Sequence, residues 1–484
     1  MIHNPIISGF NPDPSITYDG KRYIIATSTF EYYPGVSLYT SEDLSEWKYE
    51  TSVMTSGNGF ALSGARNSSG LYAATIRFHC GRYYMVTTNK NGSGNFVSHS
   101  DSLDGPWSEP LYIYKDGIDP SLVFLPDGSC FYAQNGKGGL FGAFINPDNG
   151  KLLEPLRLIS PGLSGNATEA PHIYMKDGLY YLVFAEGGTE YGHHAVVGRS
   201  ESIYGPYEIR REPILSHVDR KGHEIQATGH ADLLELYDGS WIAVFLAIRV
   251  PGRAHLHNLG RETFMAEVTW KDGWPVVGHD GYVELEEASR IETVPMKAPS
   301  VSFAEGFSGV PLLRVRTENA ASYETDGRSL ILHGKDCLSD DKGEPVMLLL
   351  RQTEFETAFS ALVRCDTTLT GRAGISVFYN SDYHADLYLE RFAGGLKLFF
   401  RRRIHDLETI VTEKIIPQCP YLRLEVKSDR EWYAFLADGV EVGRASLASF
   451  ATECTMYMTF TGTLIGIFAE AGDGVFEEGF GFGS

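Results

Sequence analysis

Long apolar runs are missing from this sequence. No stretch approaches the roughly 20 consecutive apolar residues that a membrane-spanning helix needs, although 43% of the residues are hydrophobic. Cysteine is also scarce, with six among 484 residues and no CxxC pair. This spacing excludes zinc fingers, dithiol redox motifs and a disulfide scaffold. We therefore expect a globular protein that has free thiols and no membrane span.

Basic residues are too few to balance the acidic ones. The chain has 41 Lys and Arg against 62 Asp and Glu, which gives a net charge of −21. Such a surface repels nucleic acid phosphates and anionic lipid head groups, so neither is an expected partner. The expected substrate is neutral or cationic. The first residues, Met-Ile-His-Asn-Pro, lack the basic and apolar regions of a secretory signal, which predicts a cytoplasmic location.

Helical periodicity is nearly absent, and an internal repeat takes its place. Five segments share a short apolar strand, a turn with Asp-Gly or Cys-Gly and an aromatic-rich strand, and they begin at Asp13, Ala73, Asp119, Glu169 and His230. This order is the signature of a β-hairpin. The starts lie 46 to 61 residues apart, which leaves room for four strands in each repeat. Radial repetition of four-stranded sheets predicts an all-β protein with a five-bladed β-propeller over residues 1–285.

The rest of the chain has a different organisation. Residues 286–301 contain few large apolar side chains and are predicted to form a linker. Residues 302–484 contain short apolar strands at the spacing of an antiparallel β-sandwich. These strands include Ser329-Leu-Ile-Leu, Val346-Met-Leu-Leu-Leu, Phe359-Ser-Ala-Leu-Val, Ala373-Gly-Ile-Ser-Val-Phe-Tyr and Leu396-Lys-Leu-Phe-Phe.

Carboxyl groups recur at the start of the repeats. In a propeller the first strand of each blade lines the central axis, so Asp13, Asp119 and Glu169 should converge there with His230. A single Asp could be only a turn residue before its strand, but clustered like charges destabilise a fold unless function requires them. Without an obvious metal-ligand set, converging carboxyl groups predict glycoside hydrolysis, where one donates a proton and another activates water or attacks the sugar. Glu169 is the candidate acid, because Thr168-Glu-Ala-Pro is an apolar setting.

Six motifs follow one another in the first 280 residues. They are Asn11-Pro-Asp-Pro-Ser, Thr27-Ser-Thr-Phe-Glu-Tyr-Tyr-Pro-Gly-Val, Gly117-Ile-Asp-Pro-Ser-Leu, Thr168-Glu-Ala-Pro-His-Ile-Tyr, Ala227-Thr-Gly-His-Ala-Asp and Asn258-Leu-Gly-Arg-Glu-Thr. Together they resemble glycoside hydrolase family 43, in its β-xylosidase and α-L-arabinofuranosidase branch. The resemblance implies a five-bladed propeller, a C-terminal concanavalin-like sandwich and an inverting mechanism. It implies that Asp13 is the general base, Asp119 the pKa modulator and Glu169 the general acid.

The same resemblance implies four further site residues. Arg261, Phe30, Tyr72 and His230 match positions that bind the substrate, although an Arg261–Glu262 ion pair, buried core aromatics and a structural role for the lone His230 are the alternatives. No cofactor is required, but some relatives hold calcium near the equivalent of His230, so a structural or activating calcium at the propeller centre is left open. Where relatives have Trp-Ala-Pro or Tyr-Ala-Pro, this chain has Tyr72-Ala-Ala, which leaves the sugar specificity open.

The predicted function is therefore exo-acting hydrolysis of (arabino)xylo-oligosaccharides. The enzyme is expected to remove terminal β-D-xylose, terminal α-L-arabinofuranose or both, and a loop of the second domain, Phe460-Thr-Gly-Thr-Leu, is the candidate that closes the pocket. The alternatives are an endo-arabinanase of the same fold and a lectin that binds sugar without cleaving it. An oligosaccharide is the expected partner, and a homo-oligomer is left open.

Overall fold

The computed structural model describes residues 1–92, 94–250 and 256–483. Regular structure in this part of the chain is almost entirely β-strand, as the repeats predicted, and it contains no α-helix. Its short 3₁₀ turns are Ser56–Asn58, Ala320–Ser322, Leu447–Phe450 and Thr452–Cys454. None of the helical turns found in the described ranges is long and apolar enough to cross a membrane.

Five antiparallel sheets follow one another along the first part of the chain. We number them blade 1 to blade 5 in sequence order. Their strands are, for blade 1, Ser15–Tyr18, Tyr23–Thr27, Gly35–Ser41 and Lys48–Met54; for blade 2, Leu71–His79, Arg82–Asn89, Gly94–Ser100 and Leu111–Tyr114; for blade 3, Ser121–Phe124, Cys130–Gly136, Gly139–Asn146, Lys151–Leu152 and Arg157–Ser160; for blade 4, Glu169–Lys176, Leu179–Glu186, His194–Ser200, Glu208–Ile209 and Leu215–Ser216; and for blade 5, Ile225–Glu235, Trp241–Arg249, Glu262–Lys271 and Trp274–Val277.

The hairpin at the start of each blade follows from its turn chemistry. In blade 2 the turn is Cys80-Gly81, with φ of 49° and 82°, and in blade 4 it is Asp177-Gly178, with φ of 51° and 81°. Two successive residues with positive φ form a type I′ turn, which matches the twist of the flanking strands. The glycine is required because φ of about +80° is strained for a residue with a Cβ atom.

The five blades form a closed ring. The first strand of each blade contacts the first strand of the next, and Ser15–Tyr18 of blade 1 also contacts Ile225–Glu235 of blade 5. The N-terminal segment fastens this closure, because Ile2–His3 pairs with Glu286–Glu287, and Ile7 pairs with Thr263 of blade 5. The five-bladed propeller predicted from the repeats is confirmed.

Alternation along the strands fills the spaces between blades. In Trp241–Arg249 of blade 5, Ile242 and Val244 pack against blade 1, whereas Ala243 and Phe245 pack against blade 4. Successive side chains of a strand point to opposite faces, so one strand serves two cores. The strands are therefore nearly continuous apolar runs, which hold the ring of first strands in place around its axis.

Two further antiparallel sheets form the C-terminal sandwich. The strands of its first sheet are Ser300–Ser302, Tyr323–Thr325, Ser329–Gly334, Thr357–Arg364, Tyr421–Ser428, Trp432–Ala437, Val440–Ser446 and Gly472–Phe482. The strands of its second sheet are Val346–Arg351, Arg372–Asn380, Tyr383–Phe392, Gly395–Ile404, Leu407–Ile416 and Leu464–Glu470. Each of the five apolar segments predicted to be strands lies in one of these strands.

The second sheet of the sandwich packs on the propeller. In Val346–Arg351, Leu348 and Leu350 face the sandwich core, whereas Met347 and Leu349 join a second apolar cluster. That cluster includes Phe10, Phe30 and Tyr32 from the propeller and Phe378, Leu464 and Phe468 from the sandwich. A short sheet, Tyr32–Tyr33 with Arg314–Val315, also joins the two domains.

The segment between the domains, 286–301, is not entirely without structure. It begins with Glu286–Glu287, which belongs to the ring closure, and its end lies in Ser300–Ser302, which pairs with Gly472–Phe482 of the sandwich. No strand is assigned to residues 288–299, all of which are described. The chain therefore crosses from one core to the other through about a dozen residues.

Candidate active site

The backbone is irregular where each blade meets the axis. Asp13, Asp119 and His230 have φ of 54°, 52° and 51°, and in blade 4 the residue after Glu169, Ala170, has φ of 53°. Left-handed conformations of this kind cost about 1–3 kcal/mol each and cluster at functional sites. In blade 4 the strand register also shifts between Glu169 and His172. Bulges re-aim side chains, and in blade 4 this one turns Glu169 toward the axis.

These side chains line one pocket at the end of the axis where the first strands begin. Its cavity volume is about 70 Å³, so it is a small pocket. The lining residues are Asp13, Phe30, Tyr72, Ala73, Ile118, Asp119, Glu169, Thr189, His230, Arg261 and Phe460. All seven side chains that the sequence singled out for catalysis or substrate binding are therefore brought together.

Asp13 is a buried carboxylate with strong partners. Arg261 Nη1 lies 2.6 Å from Oδ1, and the Ser28 hydroxyl donates a 2.7 Å hydrogen bond to Oδ2. Burial alone would raise the pKa of Asp13, but the charge of Arg261 and the hydrogen bond from Ser28 hold it below its usual value. Asp13 is therefore ionised at neutral pH and can accept a proton.

Glu169 and Asp119 form the acidic side of the pocket. Burial, and then the charge of Asp13, raises the pKa of Glu169 to about 7, while Arg261 opposes this rise. Burial and the charges of Glu169 and Asp13 also raise the pKa of Asp119 well above its usual value. Asp119 Oδ2 accepts a 3.2 Å hydrogen bond from the backbone N–H of Ala170, the residue after Glu169. The two carboxyl groups titrate as a pair, which retains a proton near neutral pH.

The pocket thus combines an ionised carboxylate with a protonated carboxyl group. General acid–base catalysis needs this combination, because one group must remove a proton while the other supplies one. Opposed pKa shifts in neighbouring carboxyl groups are the usual way for a fold to provide both at one pH. The arrangement can cleave an acetal bond, such as a glycosidic bond.

Arg261 joins three parts of the site. Besides Asp13, it donates from Nη1 to Thr189 Oγ1 at 3.0 Å and from Nη2 to the carbonyl oxygen of Phe460 at 3.2 Å. The alternative ion pair with Glu262 does not form, because Glu262 accepts two hydrogen bonds from Arg249, at 2.7 and 2.8 Å. Arg261 therefore belongs to the pocket and links the propeller to the sandwich.

Three aromatic rings form one wall. Phe30 lies 5.1 Å from Tyr72 and 5.7 Å from Phe460, measured between ring centroids, and Tyr72 lies 5.8 Å from Phe460. Phe30 is buried among other aromatics, so it is a core residue as well as part of the pocket wall. Aromatic faces suit the C–H surfaces of a sugar ring. Strand Leu71–His79 begins before Tyr72, and its register shifts between Leu71 and Ala74.

The sandwich supplies the loop that carries Phe460. The backbone N–H of Phe460 donates to the Ser68 hydroxyl at 3.0 Å. The carbonyl oxygen of Ser68 also accepts a hydrogen bond from the Tyr72 hydroxyl at 3.2 Å. On the other side of the pocket, Glu453 accepts hydrogen bonds from Tyr191, at 2.8 Å, and from His257, at 2.6 Å. The loop is therefore fixed to the propeller on both sides of the pocket.

Two histidines lie beneath the carboxyl groups, and both are neutral. Burial lowers the pKa of His230, whose Nδ1 lies 3.9 Å from Asp13 Oδ1. Burial and the neighbouring His230 lower the pKa of His193 to about 3. His193 Nε2 lies 3.8 Å from Glu169 Oε1. Neither ring places a positive charge beside the acid.

The surroundings of His230 do not fit a cation held by protein side chains. Among residues 1–92, 94–250 and 256–483, no group of three His, Cys, Asp or Glu side chains is arranged to hold a metal ion. The carboxylate nearest to His230 belongs to Asp13, which already pairs with Arg261. Any calcium near His230 would therefore depend on water or substrate for most of its ligands.

Sequence reasoning missed three residues of the site. Thr189 and His193 lie outside the repeat-start positions, so the repeat gave no signal for them. Ser28 stands inside the quoted motif Thr27-Ser-Thr-Phe, but its bond to Asp13 depends on the pairing of two strands. Ser28 and Thr189 are hydroxyl residues that follow a buried strand toward the axis, and this is the pattern that could have found them.

Comparison with protein families agrees with this geometry. The family described as Glycosyl hydrolases family 43 matches residues 2–275, more than half of the chain. The chain belongs to glycoside hydrolase family 43. A second model, described as the Beta xylosidase C-terminal Concanavalin A-like domain, matches residues 303–476. The fold and family expected from the motifs are thereby confirmed, and the chain is a glycoside hydrolase.

Several family 43 proteins are similar over nearly their whole length. A non-reducing end α-L-arabinofuranosidase of Bacteroides ovatus is 35% identical, over 96% of this chain and 90% of its own. A xylan 1,3-β-xylosidase of a Vibrio species is 31% identical, over 91% of this chain and 89% of its own. The solved structure of a xylan β-1,4-xylosidase from Bacillus halodurans covers all of both chains with 27% identity and a TM-score of 0.90.

Proposed function

We propose that this family 43 enzyme removes single terminal pentoses from (arabino)xylo-oligosaccharides with inversion of configuration. The pentose is β-D-xylose, α-L-arabinofuranose or both. The observation that carries this proposal is the small pocket whose wall the sandwich completes. Phe460 from the sandwich lines this pocket together with Asp13, Asp119 and Glu169. A small pocket walled by both domains suits the end of a chain better than its middle, which supports exo action over endo action.

The proposed reaction uses the two carboxyl states of the pocket. Glu169 donates its proton to the glycosidic oxygen as the bond from that oxygen to the anomeric carbon breaks. Asp13 removes a proton from a water molecule, whose oxygen attacks the anomeric carbon from the opposite face. The leaving alcohol carries the proton of Glu169, and Asp13 holds the proton of the water. Asp119 is assigned the role of modulator, and its hydrogen bond to the backbone N–H of Ala170 holds the residue after Glu169.

Substrate binding is assigned to the rest of the lining. Arg261, already fixed by Asp13 and Phe460, lines the pocket with a guanidinium group whose N–H donors suit a sugar hydroxyl. Phe30, Tyr72 and Phe460 would pack against the apolar faces of the ring. His230 offers a neutral imidazole to a hydroxyl at the base of the pocket. The names of the relatives above, which include both arabinofuranosidases and xylosidases, support a pentose.

The test measures the hydrolysis of both kinds of pentoside and the sizes of the products released. The wild type should hydrolyse 4-nitrophenyl β-D-xylopyranoside, 4-nitrophenyl α-L-arabinofuranoside or both, and should release only monosaccharide from xylo-oligosaccharides. Proton NMR of the first product should show the inverted anomer. Release of internal fragments from arabinan would support the endo-arabinanase alternative, and binding of oligosaccharides without turnover would support the lectin alternative.

We further propose that the enzyme acts in the cytoplasm without a required cofactor. The acidic composition and the size of the pocket suit short, neutral oligosaccharides better than insoluble xylan. Cell fractionation with an antibody checks the location. Light scattering at several concentrations checks whether the chain forms a homo-oligomer.

A further inference from the structure

Glu186 is a buried carboxylate that the proposed reaction does not use. It ends the second strand of blade 4, Leu179–Glu186, and its exposed fraction is 0%. In the described ranges it forms no ion pair with Lys, Arg or His within 4.0 Å. A buried carboxylate without a cation is costly unless hydrogen bonds satisfy it, so its partners show what it does.

Five donor groups surround Glu186 and make six hydrogen bonds to it, and all belong to one segment, residues 163–168. The donors are the backbone N–H groups of Leu163, at 2.8 Å, Ser164, at 2.9 Å, and Gly165, at 3.3 Å, and the hydroxyls of Ser164, at 2.5 Å, and Thr168, at 2.9 Å. Burial would raise the pKa of Glu186, but these bonds lower it below its usual value. The carboxylate therefore organises a loop that has no regular structure of its own.

The loop packs closely around the carboxylate. A Cβ atom at Gly162, where φ is 85°, would lie 2.4 Å from Glu186 Oε1 and 2.4 Å from Thr168 Oγ1. Only glycine allows the chain to pass at this point. The backbone N–H of Gly187 also donates to the carbonyl oxygen of Asn166 at 2.9 Å.

This loop leads directly into Glu169. Thr168, which bonds to Glu186, is the residue before Glu169, and the carbonyl oxygen of Thr168 accepts a 2.5 Å hydrogen bond from Asn135. Glu169 itself pairs across the sheet with Ala185, the residue before Glu186. The backbone of Glu169 is therefore held both along the chain and across the sheet by groups adjacent to Glu186.

We propose that Glu186 is a positioning residue for Glu169. Its carboxylate gathers residues 163–168 and so fixes the direction in which Glu169 enters the pocket. The inference rests on the proposed role of Glu169 as general acid. Glu186 does not line the pocket, so it acts through the backbone rather than on the substrate.

The chemistry of the bonds requires a carboxylate at this position. Leu163, Gly165 and Thr168 donate to Oε1. The backbone N–H of Ser164 donates to both oxygens, and its hydroxyl donates to Oε2. A glutamine amide has donors on one of its two ends. Whichever way it turns, its NH₂ group would face at least one backbone N–H, which cannot accept a hydrogen bond, so Glu186→Gln breaks the arrangement with almost no change in size.

The experiment compares two leaving groups on the pentose that the wild type releases. Misplacing a catalytic group by 1 Å can cost about 100-fold, so Glu186→Gln should lower kcat/KM for a disaccharide by roughly that factor. The 4-nitrophenyl glycoside needs no proton on its leaving group, so its kcat/KM should fall less than about threefold. Thr168→Val, which removes one hydrogen bond to Glu186, should also lower kcat/KM more for the disaccharide than for the 4-nitrophenyl glycoside. Both losses should be smaller than in Glu186→Gln.

Two controls separate positioning from loss of structure. Glu477→Gln alters a buried carboxylate of the sandwich, which accepts hydrogen bonds from Ser329 and Arg364, and it should not change the ratio between the two substrates. In a Glu169→Gln background, Glu186→Gln should cause no further loss on the disaccharide, because residues that act as a unit are not additive.

Each outcome decides a different point. Equal losses on both substrates in Glu186→Gln, or a full additional loss in the Glu169→Gln background, would overturn the positioning role. An unchanged ratio with full activity would overturn it as well. Failure of the wild type to hydrolyse either substrate would instead count against the proposed function, so the two failures are distinguishable.

Discussion

Both ends of the propeller axis carry buried ionisable side chains, but acidic and basic groups are matched at only one of them. At the end away from the pocket, Asp232 accepts hydrogen bonds from Arg77, at 2.8 and 3.0 Å, from Tyr174, at 2.6 Å, and from Ser15, at 2.7 Å. One cation meets one anion there, and both oxygens are satisfied. Burial would raise the pKa of Asp232, but Arg77 and its hydrogen bonds hold it far below its usual value.

The pocket end has no such balance. Three carboxyl groups, Asp13, Asp119 and Glu169, share one guanidinium, that of Arg261. Burial, and then the charge of Asp13, raises the pKa of Glu169 to about 7 at this end. Buried charge that is fully paired stabilises a closed ring, whereas buried charge left in excess creates groups that exchange protons. Similar residue types thus serve structure at one end and chemistry at the other.

The largest effect should come from removing the one ionised carboxylate of the pocket. We expect Asp13→Asn to lower kcat/KM by about 10³-fold on both 4-nitrophenyl glycosides and disaccharides, because general-base catalysis is lost whatever the leaving group. Steady-state kinetics on purified variants measures this loss. A variant that kept more than a tenth of wild-type activity on either substrate would contradict the assignment.

The acid should be sensitive to the leaving group and to pH. Glu169→Gln should lower kcat/KM for a disaccharide by about 100-fold and for the 4-nitrophenyl glycoside by much less. Since the raised pKa of Glu169 is about 7, wild-type kcat/KM for the disaccharide should fall as the pH rises through 7. It should stay level down to about pH 4, because the pKa of Asp13 is lowered. A basic limb that persisted in Glu169→Gln would assign it to another group.

The balanced end should respond in stability instead of rate. Asp232→Asn leaves Arg77 without its anion, and breaking a buried pair costs about 3–5 kcal/mol. Asp119→Asn removes an unfavourable like charge, so the free energy of unfolding should stay level or rise. Denaturant unfolding of both variants measures the difference. Equal destabilisation by the two would remove the distinction between the ends of the axis.

The smallest effect should come from a chelator. The donors around His230 do not fit a cation held by protein side chains, so EDTA should change kcat/KM by less than about twofold. Disturbing a metal that the enzyme required would lower kcat/KM by far more. Activity assays with EDTA and with added calcium measure this. Loss of activity that calcium restored would place a functional cation at the pocket after all.

Much of the fold and part of the site could be predicted from the sequence. The number of hairpin repeats predicted the number of blades. Asp13, Asp119 and Glu169 stand at the same position in their repeats, and equivalent positions in a ring must converge on its axis. The contacts of Glu186, Thr189 and Ser28 could not be predicted in the same way. They depend on loop paths and on register shifts such as the one after Glu169, which are set by packing between blades and leave no periodic pattern.

The residues that form the pocket are far apart in the sequence, and this distance sets the order in which the pocket can be completed. Asp13 is made before every blade, the pairing that fastens the ring needs Glu286–Glu287, and the pocket wall needs Phe460. A nascent chain can therefore bury blade after blade and still lack a finished sugar site until Phe460 has left the ribosome. The sandwich is thus the part of the protein that completes the enzyme.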